Sequence, residues 1–358
     1  MVDPSSRQVG SRRMFLGGLA ATLAGANAPA SAKPPQGGIR DIEVASRPIT
    51  SFGRSGRQQT RFGKLDFRGG LTLTSPDKDF GGWSGLVVAS DGKRLLAVSD
   101  EGAWLSAEID YRGAVPAKIR AARMGPIAGV AGRQLNAKRD LDAESLALAE
   151  GDFSRGQVLI GFERNHRIGR FPVVNGAVQP PTSYLRVPPE ARRMRSNKGF
   201  EAVTVLAGGP NKGSVVAFSE RFPDNPAQHT GWIWIAGEPR RLGYRDVGDF
   251  EVTDAASLAD GTLLVLERRF RWTEGVKMRL RSFPPDEVRA GNVMQGETLL
   301  EADLSYEIDN MEGLAVHRSP EGETVITMIS DDNFNSFLQR TILLQFTLTD
   351  LGRAARRG

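Results

Sequence analysis

The segment from Phe200-Glu201-Ala202-Val203 to Ser219-Glu220-Arg221 is one copy of a pattern that occurs five times in the chain. The pattern is an acidic or small residue, a small residue, an aliphatic residue, a turn, and a strand that ends in an acid. The other copies are Trp83-Ser84-Gly85-Leu86 to Ser99-Asp100, Ala143-Glu144-Ser145-Leu146 to Phe162-Glu163-Arg164, Ala255-Ala256-Ser257-Leu258 to Leu266-Glu267-Arg268, and Met311-Glu312-Gly313-Leu314 to Ser330-Asp331-Asp332. Counted from residues 84, 144, 201, 256 and 312, successive copies are 60, 57, 55 and 56 residues apart. A repeat of this length indicates stacked supersecondary units.

Each copy has the residue pattern of several short strands. Asp91-Gly92 and Asp260-Gly261 lie between apolar runs, which is typical of hairpin turns. Aliphatic and β-branched stretches of strand length follow, for example Thr262 to Leu266 and Thr324 to Ile329. Four-stranded units at this spacing are typical of propeller blades. We therefore predict an all-β fold, a β-propeller of five or six four-stranded blades.

The residues outside the repeats suggest how the ring closes. Residues 33–60 are predicted to be an N-terminal extension that contributes a ring-closing strand to the last blade, which ends near Leu348. The alternative is a sixth, degenerate blade between Ile39 and Thr74. The propeller domain is predicted over residues 61–350, and residues 351–358 form a basic tail.

The first 32 residues have the features of an export signal. Ser11-Arg12-Arg13-Met14-Phe15-Leu16 precedes a short, weakly apolar run, and Ala30-Ser31-Ala32 has the form of a cleavage site. The run is shorter than the roughly 20 apolar residues that span a membrane, so we expect no stable membrane insertion. Adjacent arginines predict a twin-arginine signal of bacterial type, with ordinary secretory export as the alternative. We expect the twin-arginine export machinery to be a partner and the mature protein to be periplasmic or secreted.

The composition restricts the chemistry. The 358 residues are 40% hydrophobic and 25% charged, as in ordinary globular proteins, and include no cysteine. Disulfides, thiolate metal sites and a cysteine nucleophile are therefore excluded. The net charge is +5, and removal of residues 1–32, with three arginines and one aspartate, lowers it to 5 − 2 = +3. So small a charge predicts no nucleic-acid partner.

The acids of the repeats are expected to converge. Three pairs lie 19 residues apart: Glu144 and Glu163, Glu201 and Glu220, and Glu312 and Asp331. The start of one strand of an antiparallel hairpin lies beside the end of the next, with opposed Cβ atoms about 4.5–5.5 Å apart. In the fourth copy, a two-residue Asp260-Gly261 turn would place Asp254 opposite Glu267. If these strands line a central channel, several carboxylates meet at one of its mouths.

Carboxylates that lie this close require cations, because like charges raise each other's pKa. The arginines that follow the acids and a bound metal ion are the two sources of positive charge. An all-oxygen site suits a hard ion such as Ca²⁺ and does not suit zinc. The alternative is that the acids are solvated, or paired with neighbouring arginines as links between blades.

Several segments resemble the phytase-like family described as having esterase-like activity. They are Phe80-Gly81-Gly82-Trp83-Ser84-Gly85-Leu86, Val98-Ser99-Asp100-Glu101-Gly102, Asp142-Ala143-Glu144-Ser145-Leu146, Lys198-Gly199-Phe200-Glu201-Ala202-Val203, Leu266-Glu267-Arg268-Arg269-Phe270, Asn310-Met311-Glu312-Gly313-Leu314 and Ile329-Ser330-Asp331-Asp332-Asn333-Phe334. The resemblance runs from about Phe62 to Leu348. It implies a β-propeller related to calcium-dependent phytases, which release phosphate from inositol phosphates.

The resemblance also implies roles for individual residues. Calcium is implied as the cofactor, with these ligands: Glu144, Glu201, Glu312, Asp331 and Asp332. Glu163 and Glu220 are implied as the catalytic acids that activate water. The fourth copy departs from the pattern, because Ala256 stands where the other copies have their first acid. Only Asp254 could supply a carboxylate in its place. The first copy has Ser84 at this place.

Three hypotheses follow for the function. The first is a calcium-dependent hydrolase of small phosphate esters, in which Arg164, Arg221 and Arg268 bind the phosphate oxygens. His166 would then be a proton carrier or a phosphate partner, its alternative being an ordinary surface histidine. The second is a metal-dependent hydrolase of carboxylic esters or lactones, in which the arginines are structural. The third is a propeller that binds a ligand without catalysis.

Overall fold

The computed structural model describes residues 35, 37–55, 59–195, 198–223 and 226–349. The predicted export signal, residues 1–32, and the basic tail, residues 351–358, lie outside the described residues. Helical elements in the described part are short: α1 (Lys138–Leu141) and two 3-10 turns (Val130–Gly132 and Pro189–Arg193). Among the described residues, no helix has the length and apolar character needed to cross a membrane.

The remaining regular elements are strands. Four precede the first repeat: β1 (Arg40–Asp41), β2 (Ala45–Ile49), β3 (Arg61–Phe62) and β4 (Leu65–Thr74). Blade 1 contains β5 (Trp83–Val88), β6 (Arg94–Ser99), β7 (Ala103–Arg112) and β8 (Val115–Pro126). Blade 2 contains β9 (Ala143–Gly151), β10 (Arg155–Phe162), β11 (Arg167–Val174), β12 (Ala177–Val178) and β13 (Ser183–Tyr184). Blade 3 contains β14 (Phe200–Val205), β15 (Val215–Ser219), β16 (Gln228–Ile235) and β17 (Glu238–Arg245).

Blades 4 and 5 complete the set. Blade 4 contains β18 (Glu251–Ser257), β19 (Leu263–Arg271) and β20 (Gly275–Phe283); β21 (Val293–Met294) then pairs with β17 of blade 3, and β22 (Glu297–Ala302) returns to blade 4. Blade 5 contains β23 (Asn310–Arg318), β24 (Thr324–Asp331) and β25 (Thr341–Leu348). The innermost strands β5, β9, β14, β18 and β23 each pack against the innermost strands of both neighbouring blades. The predicted all-β propeller is confirmed, and it has five blades.

The N-terminal strands join the two ends of the ring. β4 pairs antiparallel with β25 and so becomes the fourth strand of blade 5, with β2 paired on its outer side. β1 pairs with β8 at the outer edge of blade 1. The alternative of a sixth blade between residues 39 and 74 is wrong, because these residues supply strands to blades 5 and 1. A ring closed by strands from both ends of the chain holds the first and last blades together.

Apolar side chains fill the spaces between the blades. Five buried clusters exist among the described residues, one at each interface between neighbouring blades. At the interface of blades 4 and 5, Leu266 and Met328 are fully buried. Burial of a side chain of this size contributes about 1.5–3 kcal/mol, so the interfaces supply the main stabilisation of the ring.

Every innermost strand carries a β-bulge near its start. The pairing with the second strand of the blade skips one residue in each case: Ser84, Glu144, Glu201, Thr253 and Glu312. Bulges leave one residue unpaired, bend the strand and redirect side chains, and they are common beside active sites. The first acid of the sequence repeat therefore occupies a special backbone position, which strand alternation alone does not reveal.

The fourth repeat differs from its predicted register. Asp254 pairs with Leu266 instead of Glu267, and Thr253, instead of Ala256, is the bulged residue. The predicted two-residue turn would have paired residue 259 with Thr262, whereas the amide of Leu258 donates to the carbonyl of Thr262 at 2.8 Å. A longer turn shifts the register by one residue, which exchanges the side chains on the two faces of the strand.

Candidate functional site

Two rings of side chains meet at the mouth where the innermost strands begin. The first ring is formed by the five bulged residues. In each blade, the residue just before the bulge pairs with a residue of the second strand, and the residue that follows this partner belongs to the second ring. The members of the second ring are Asp100, Glu163, Glu220, Arg268 and Asp331. Glu144 interacts electrostatically with Glu201, Asp100 and Glu312, which belong to three other blades. The predicted convergence of acids thus occurs in the structure, and we call this region the acidic mouth.

Two groups of carboxylates within the acidic mouth are tight enough to hold a cation. One oxygen from each of Asp142, Glu144 and Glu163 lies within 4.8 Å of the others, and the same is true of Glu163, Glu201 and Glu220. Blades 2 and 3 supply all five residues, and Glu163 belongs to both groups. Asp142 was not among the predicted ligands, although it stands two residues before Glu144 in the segment that resembles the family.

Burial makes these carboxyl groups difficult to ionise. Burial, reinforced by Asp142, raises the pKa of Glu163 to about 9. Burial, reinforced by Glu251, raises the pKa of Glu220 to about 7. The pKa values of Glu144 and Glu201 are raised well above the ordinary glutamate value for the same reason. A bound cation would reverse these shifts, because it stabilises the ionised form.

Two lysines that the sequence analysis did not single out border the acidic mouth. Nζ of Lys138 lies 2.7 Å from Asp100 and 2.9 Å from Asp142. Nζ of Lys198 lies 2.5 Å from Glu220 and 3.3 Å from Glu251. Burial opposes the charge of Lys138, but the adjacent carboxylates raise its pKa. Lys198 stands two residues before Phe200, where a repeat copy begins, and this position was the available signal in the sequence.

The three predicted phosphate-binding arginines are in contact with acids or amides of the protein. Nε of Arg164 donates to Asp142 at 2.6 Å, and Nε of Arg221 donates to Glu251 at 3.0 Å. Nη1 of Arg268 donates to the side-chain oxygen of Asn310 at 2.7 Å. Within the described residues, the two terminal nitrogens of Arg164 make no hydrogen bond to protein, and its side chain is 35% exposed. Arg164 is therefore the arginine best placed to bind a further anion.

Three predicted ligands lie on the blade 5 side of the acidic mouth. Glu312 accepts a hydrogen bond from Asn310 at 2.7 Å, and Asp331 accepts one from the amide of Asn333 at 2.6 Å. Asp332 accepts from the amide of Gly82 at 3.1 Å and from the hydroxyl of Thr341, so it links blade 5 to blade 1. The tight carboxylate groups found among the described residues do not include these three acids.

His166 lies beside the acidic mouth, as its place after Glu163 predicted. Its ring is close to the backbone of Glu163 and Met194, and burial lowers its pKa. Nδ1 is buried and has no hydrogen-bond partner among the described residues. A neutral imidazole in this position can bind a polar group of a ligand.

Two solved structures are similar to this chain in fold. One is an endo-arabinase from Bacteroides thetaiotaomicron, with 13% identity, a TM-score of 0.44, and coverage of 77% of this chain and 96% of that chain. The other is a hypothetical protein from Leishmania major, with 9% identity, a TM-score of 0.42, and coverage of 77% and 89% respectively. No curated protein matches the chain significantly.

A family model gives the decisive comparison. The model described as "Phytase-like: Esterase-like activity of phytase" matches residues 78–334, which is well over half of the chain. The matched region begins before the first blade and ends after the second strand of blade 5, so it includes all the residues of the acidic mouth. The chain therefore belongs to the phytase-like family.

Proposed function

We propose that this protein is a calcium-dependent hydrolase of phosphate esters whose reaction takes place at the acidic mouth. The observation that carries the proposal is that Glu163 is common to two carboxylate groups, each with oxygens within 4.8 Å of one another. Membership of the phytase-like family supports a hydrolytic reaction. Arg164, next to Glu163, offers to a phosphate group two terminal nitrogens that make no hydrogen bond to any other described residue.

The residues present fit a hard divalent cation. Asp142, Glu144, Glu163, Glu201 and Glu220 would hold it with carboxylate oxygens, the ligands that Ca²⁺ prefers. Among the described residues, both carboxylate groups consist of aspartate and glutamate only, without histidine or cysteine, and this composition disfavours zinc. Oδ1 of Asp100 is also buried without a hydrogen-bond partner among the described residues, as expected where positive charge is missing.

The side chains of the acidic mouth have different roles in the proposed reaction. When bound, the ion would supply Lewis-acid polarisation of the phosphoryl group. Arg164 binds phosphate oxygens and holds the ester at the mouth. Glu220, next to Lys198, would accept a proton from the water that attacks phosphorus. The bond between phosphorus and the alcohol oxygen breaks, and the alcohol leaves with a proton returned from Glu220 through solvent. Glu163 would help to hold the cation. Lys138 and Lys198 hold the surrounding carboxylates in position.

The test uses protein that starts at Lys33, the residue after the predicted cleavage site, with metal removed by chelation. Phosphate release from inositol hexakisphosphate and from simple phosphate monoesters is measured with and without added Ca²⁺. We expect release only with Ca²⁺, and loss of most of it in Glu163→Gln and Glu220→Gln. The matched control is Glu150→Gln, which changes an exposed glutamate of β9. Full activity of both site variants, in folded protein, would overturn the assignment.

The second candidate is hydrolysis of carboxylic esters or lactones at the same acids. The observation that favours it is the pairing of Arg221 with Glu251 and of Arg268 with Asn310, which occupies two of the three predicted phosphate-binding arginines. A neutral ester needs no arginine clamp. Calcium-dependent hydrolysis of acyl esters, without release of phosphate from any phosphate ester, would select this candidate.

A further inference from the structure

The exposed phenylalanine and tryptophan side chains of the described residues lie in two segments on one face of the propeller. The first segment is the hairpin between β19 and β20, with Phe270 and Trp272. The second is the loop between β24 and β25, with Phe334 and Phe337. Single exposed apolar side chains are normal, but a concentration of them marks an interaction site or a ligand groove. These two segments therefore indicate a binding surface.

Both segments directly follow members of the second ring of the acidic mouth. Phe270 stands two residues after Arg268, and Phe334 stands three residues after Asp331. A strand advances about 3.3 Å per residue, so Phe270 lies about 7 Å beyond Arg268 along β19. Arg268 in turn lies 3.8 Å from Glu220, one of the acids of the tight carboxylate groups. The exposed rings therefore border the mouth at which the proposed reaction takes place.

The alternation of side chains places Phe270 on the side of β19 that faces blade 5, since β19 pairs with β20 without a bulge. On this side Leu266 packs in the buried cluster between blades 4 and 5. Further along the same side, Arg268 donates to Asn310 of blade 5 at 2.7 Å. The ring of Trp272 lies beside that of Phe270, with the two ring centroids 5.5 Å apart. Both aromatic rings thus lie on the blade 5 side of the hairpin.

The loop after β24 holds Phe334 directly against the acidic mouth. Asn333 and Phe334 have φ values of 48° and 51°, a backbone conformation that is uncommon for residues other than glycine. A Cβ atom on Gly82 would lie 2.5 Å from Cε2 of Phe334 and 2.3 Å from Oδ1 of Asp100. The absence of a side chain at Gly82 therefore lets the aromatic ring lie next to a carboxyl group of the second ring.

The rest of this loop presents apolar side chains to solvent. Phe337 is 92% exposed and Leu338 is 54% exposed. The loop backbone is held by hydrogen bonds: the amide of Leu338 donates to the carbonyl of Asn335 at 2.9 Å, and the amide of Arg340 donates to Asp309 at 3.1 Å. The exposed apolar side chains thus belong to a loop of defined conformation.

The charged side chains of the hairpin pair with one another. Glu274 lies 2.7 Å from Nη2 of Arg269 and 2.6 Å from Nζ of Lys277. It also accepts a hydrogen bond from Nη1 of Arg271 at 3.3 Å. A charged group of a ligand would have to compete with these pairs, whereas an apolar group can lie on the aromatic rings without disturbing them.

We propose that these aromatic side chains bind the alcohol part of the substrate, and that the protein acts on phosphate esters of apolar alcohols, such as alkyl monoesters. The inference rests on the proposed function, because the phosphate group must be held at Arg164 and the cation-binding acids. An apolar chain that extends from there across the mouth toward blades 4 and 5 meets the exposed rings of Phe334, Phe337 and Trp272. These rings determine specificity through binding, and the bond that breaks is still the one between phosphorus and the alcohol oxygen.

The first experiment compares octyl phosphate with butyl phosphate, two esters that differ by four methylene groups. kcat/KM is measured from phosphate release in the presence of Ca²⁺, with octyl phosphate kept below the concentration at which it forms micelles. A fully buried methylene group strengthens binding about fourfold, and contact on one side only leaves about tenfold for the four groups together. We therefore expect wild type to prefer octyl phosphate about tenfold. The double variant Trp272→Ser and Phe337→Ser should prefer it about threefold at most.

The matched control is Ile235→Ser, which removes an exposed apolar side chain at the end of β16, a strand that runs away from the mouth. This variant should keep the wild-type preference. Hydrolysis of both esters without any preference in wild type would overturn the inference and leave the proposed phosphate ester hydrolysis intact. So would an equal preference in wild type and in the folded double variant.

Binding of phosphonates separates the inference from the proposed function, because their carbon–phosphorus bond is not hydrolysed. Octylphosphonate and butylphosphonate are titrated into the protein with Ca²⁺ in a calorimeter. If no ester is hydrolysed but wild type prefers octylphosphonate about tenfold and the double variant loses this preference, the proposed function is overturned and the apolar binding surface is supported. Equal binding of the two phosphonates by wild type would overturn the inference. If wild type binds neither phosphonate, both proposals are overturned.

Discussion

Arg268 occupies in blade 4 the position that Glu220 occupies in blade 3. Arg268 follows Glu267, which pairs with Val252, just as Glu220 follows Ser219, which pairs with Phe200. One member of the second ring is therefore a cation, and its Nη2 lies 3.8 Å from Glu220. Burial opposes its charge, but Glu312 and Glu220 raise the pKa of Arg268 further. The protein thus supplies part of the positive charge that its acidic mouth requires.

Removing this cation should destabilise the metal-free protein. We expect Arg268→Met to lower the free energy of unfolding by about 2 kcal/mol, because the acids around it lose a partner and the site is only partly exposed. Saturating Ca²⁺ should recover more stability in the variant than in wild type. Urea unfolding with and without Ca²⁺ measures both effects, with Arg112→Met at an exposed strand end as the control. Equal stability of the two variants would contradict this role.

The stability of the metal-free protein should fall as the pH rises. Burial raises the pKa of Glu163 to about 9 and that of Glu220 to about 7, so both carboxyl groups bind protons more tightly in the folded than in the unfolded chain. This contribution is complete below the unfolded pKa of about 4.3 and is lost as the pH passes through the folded values. We expect the Tm to decline between about pH 6 and pH 9, more weakly in Glu163→Gln, and Ca²⁺ to remove most of the decline. A flat Tm profile in the absence of metal would contradict the raised pKa values.

We expect Asp254 to stabilise the fold and to take no part in metal binding. Its side chain is fully buried and accepts hydrogen bonds from the amides of Ala255 and Leu314, which ties blade 4 to blade 5. In Asp254→Asn, an amide NH₂ group must face one of these N–H donors, so we expect a loss of about 2 kcal/mol in unfolding free energy. Calcium affinity, measured by calorimetry, should stay at the wild-type value. A large loss of calcium affinity in the folded variant would instead show that Asp254 contributes to the metal site at the acidic mouth.

Variants of Glu267 and of its neighbour Arg268 should both lose stability but should differ in whether calcium recovers it. Glu267 is fully buried, accepts from Nε of Arg279 at 2.6 Å and from the hydroxyl of Tyr244 at 2.9 Å, and lies away from the acidic mouth. Glu267→Gln leaves buried arginines without their counter-charge, so we expect a loss of about 3 kcal/mol in unfolding free energy. Calcium should not recover this loss, in contrast to Arg268→Met. Recovery by calcium would mean that Glu267 shares the site.

The repeat pattern was sufficient to predict the architecture. Five copies of one strand pattern predicted a propeller, because each unit can bury its apolar faces only against a neighbour. The choice between five and six blades needed the structure, in which residues 40–74 supply strands to blades 5 and 1. The acids at the strand ends could also be predicted to converge, since the innermost strands run in the same direction. Glu163 and Glu220 were identified from their 19-residue spacing to Glu144 and Glu201, and all four lie in the tight carboxylate groups.

The sequence by itself thus determined the class of fold, the strands that carry the acids and the mouth at which they meet. Only the tertiary structure decided which acids lie close enough together to hold a cation. It also showed that in blade 4 the bulged residue of the first ring is Thr253 and not Ala256, and that Arg268 stands where the other blades have an acid. The physical reason is that a bulge or one extra turn residue shifts the strand register by one residue, and this shift exchanges the side chains on the two faces of the strand. The residue types in the segment hardly change with such a shift, so the sequence does not reveal it. Glu163 of blade 2 lies beside Glu201 and Glu220 of blade 3, and only the packing of the two blades against each other brings these three carboxylates together.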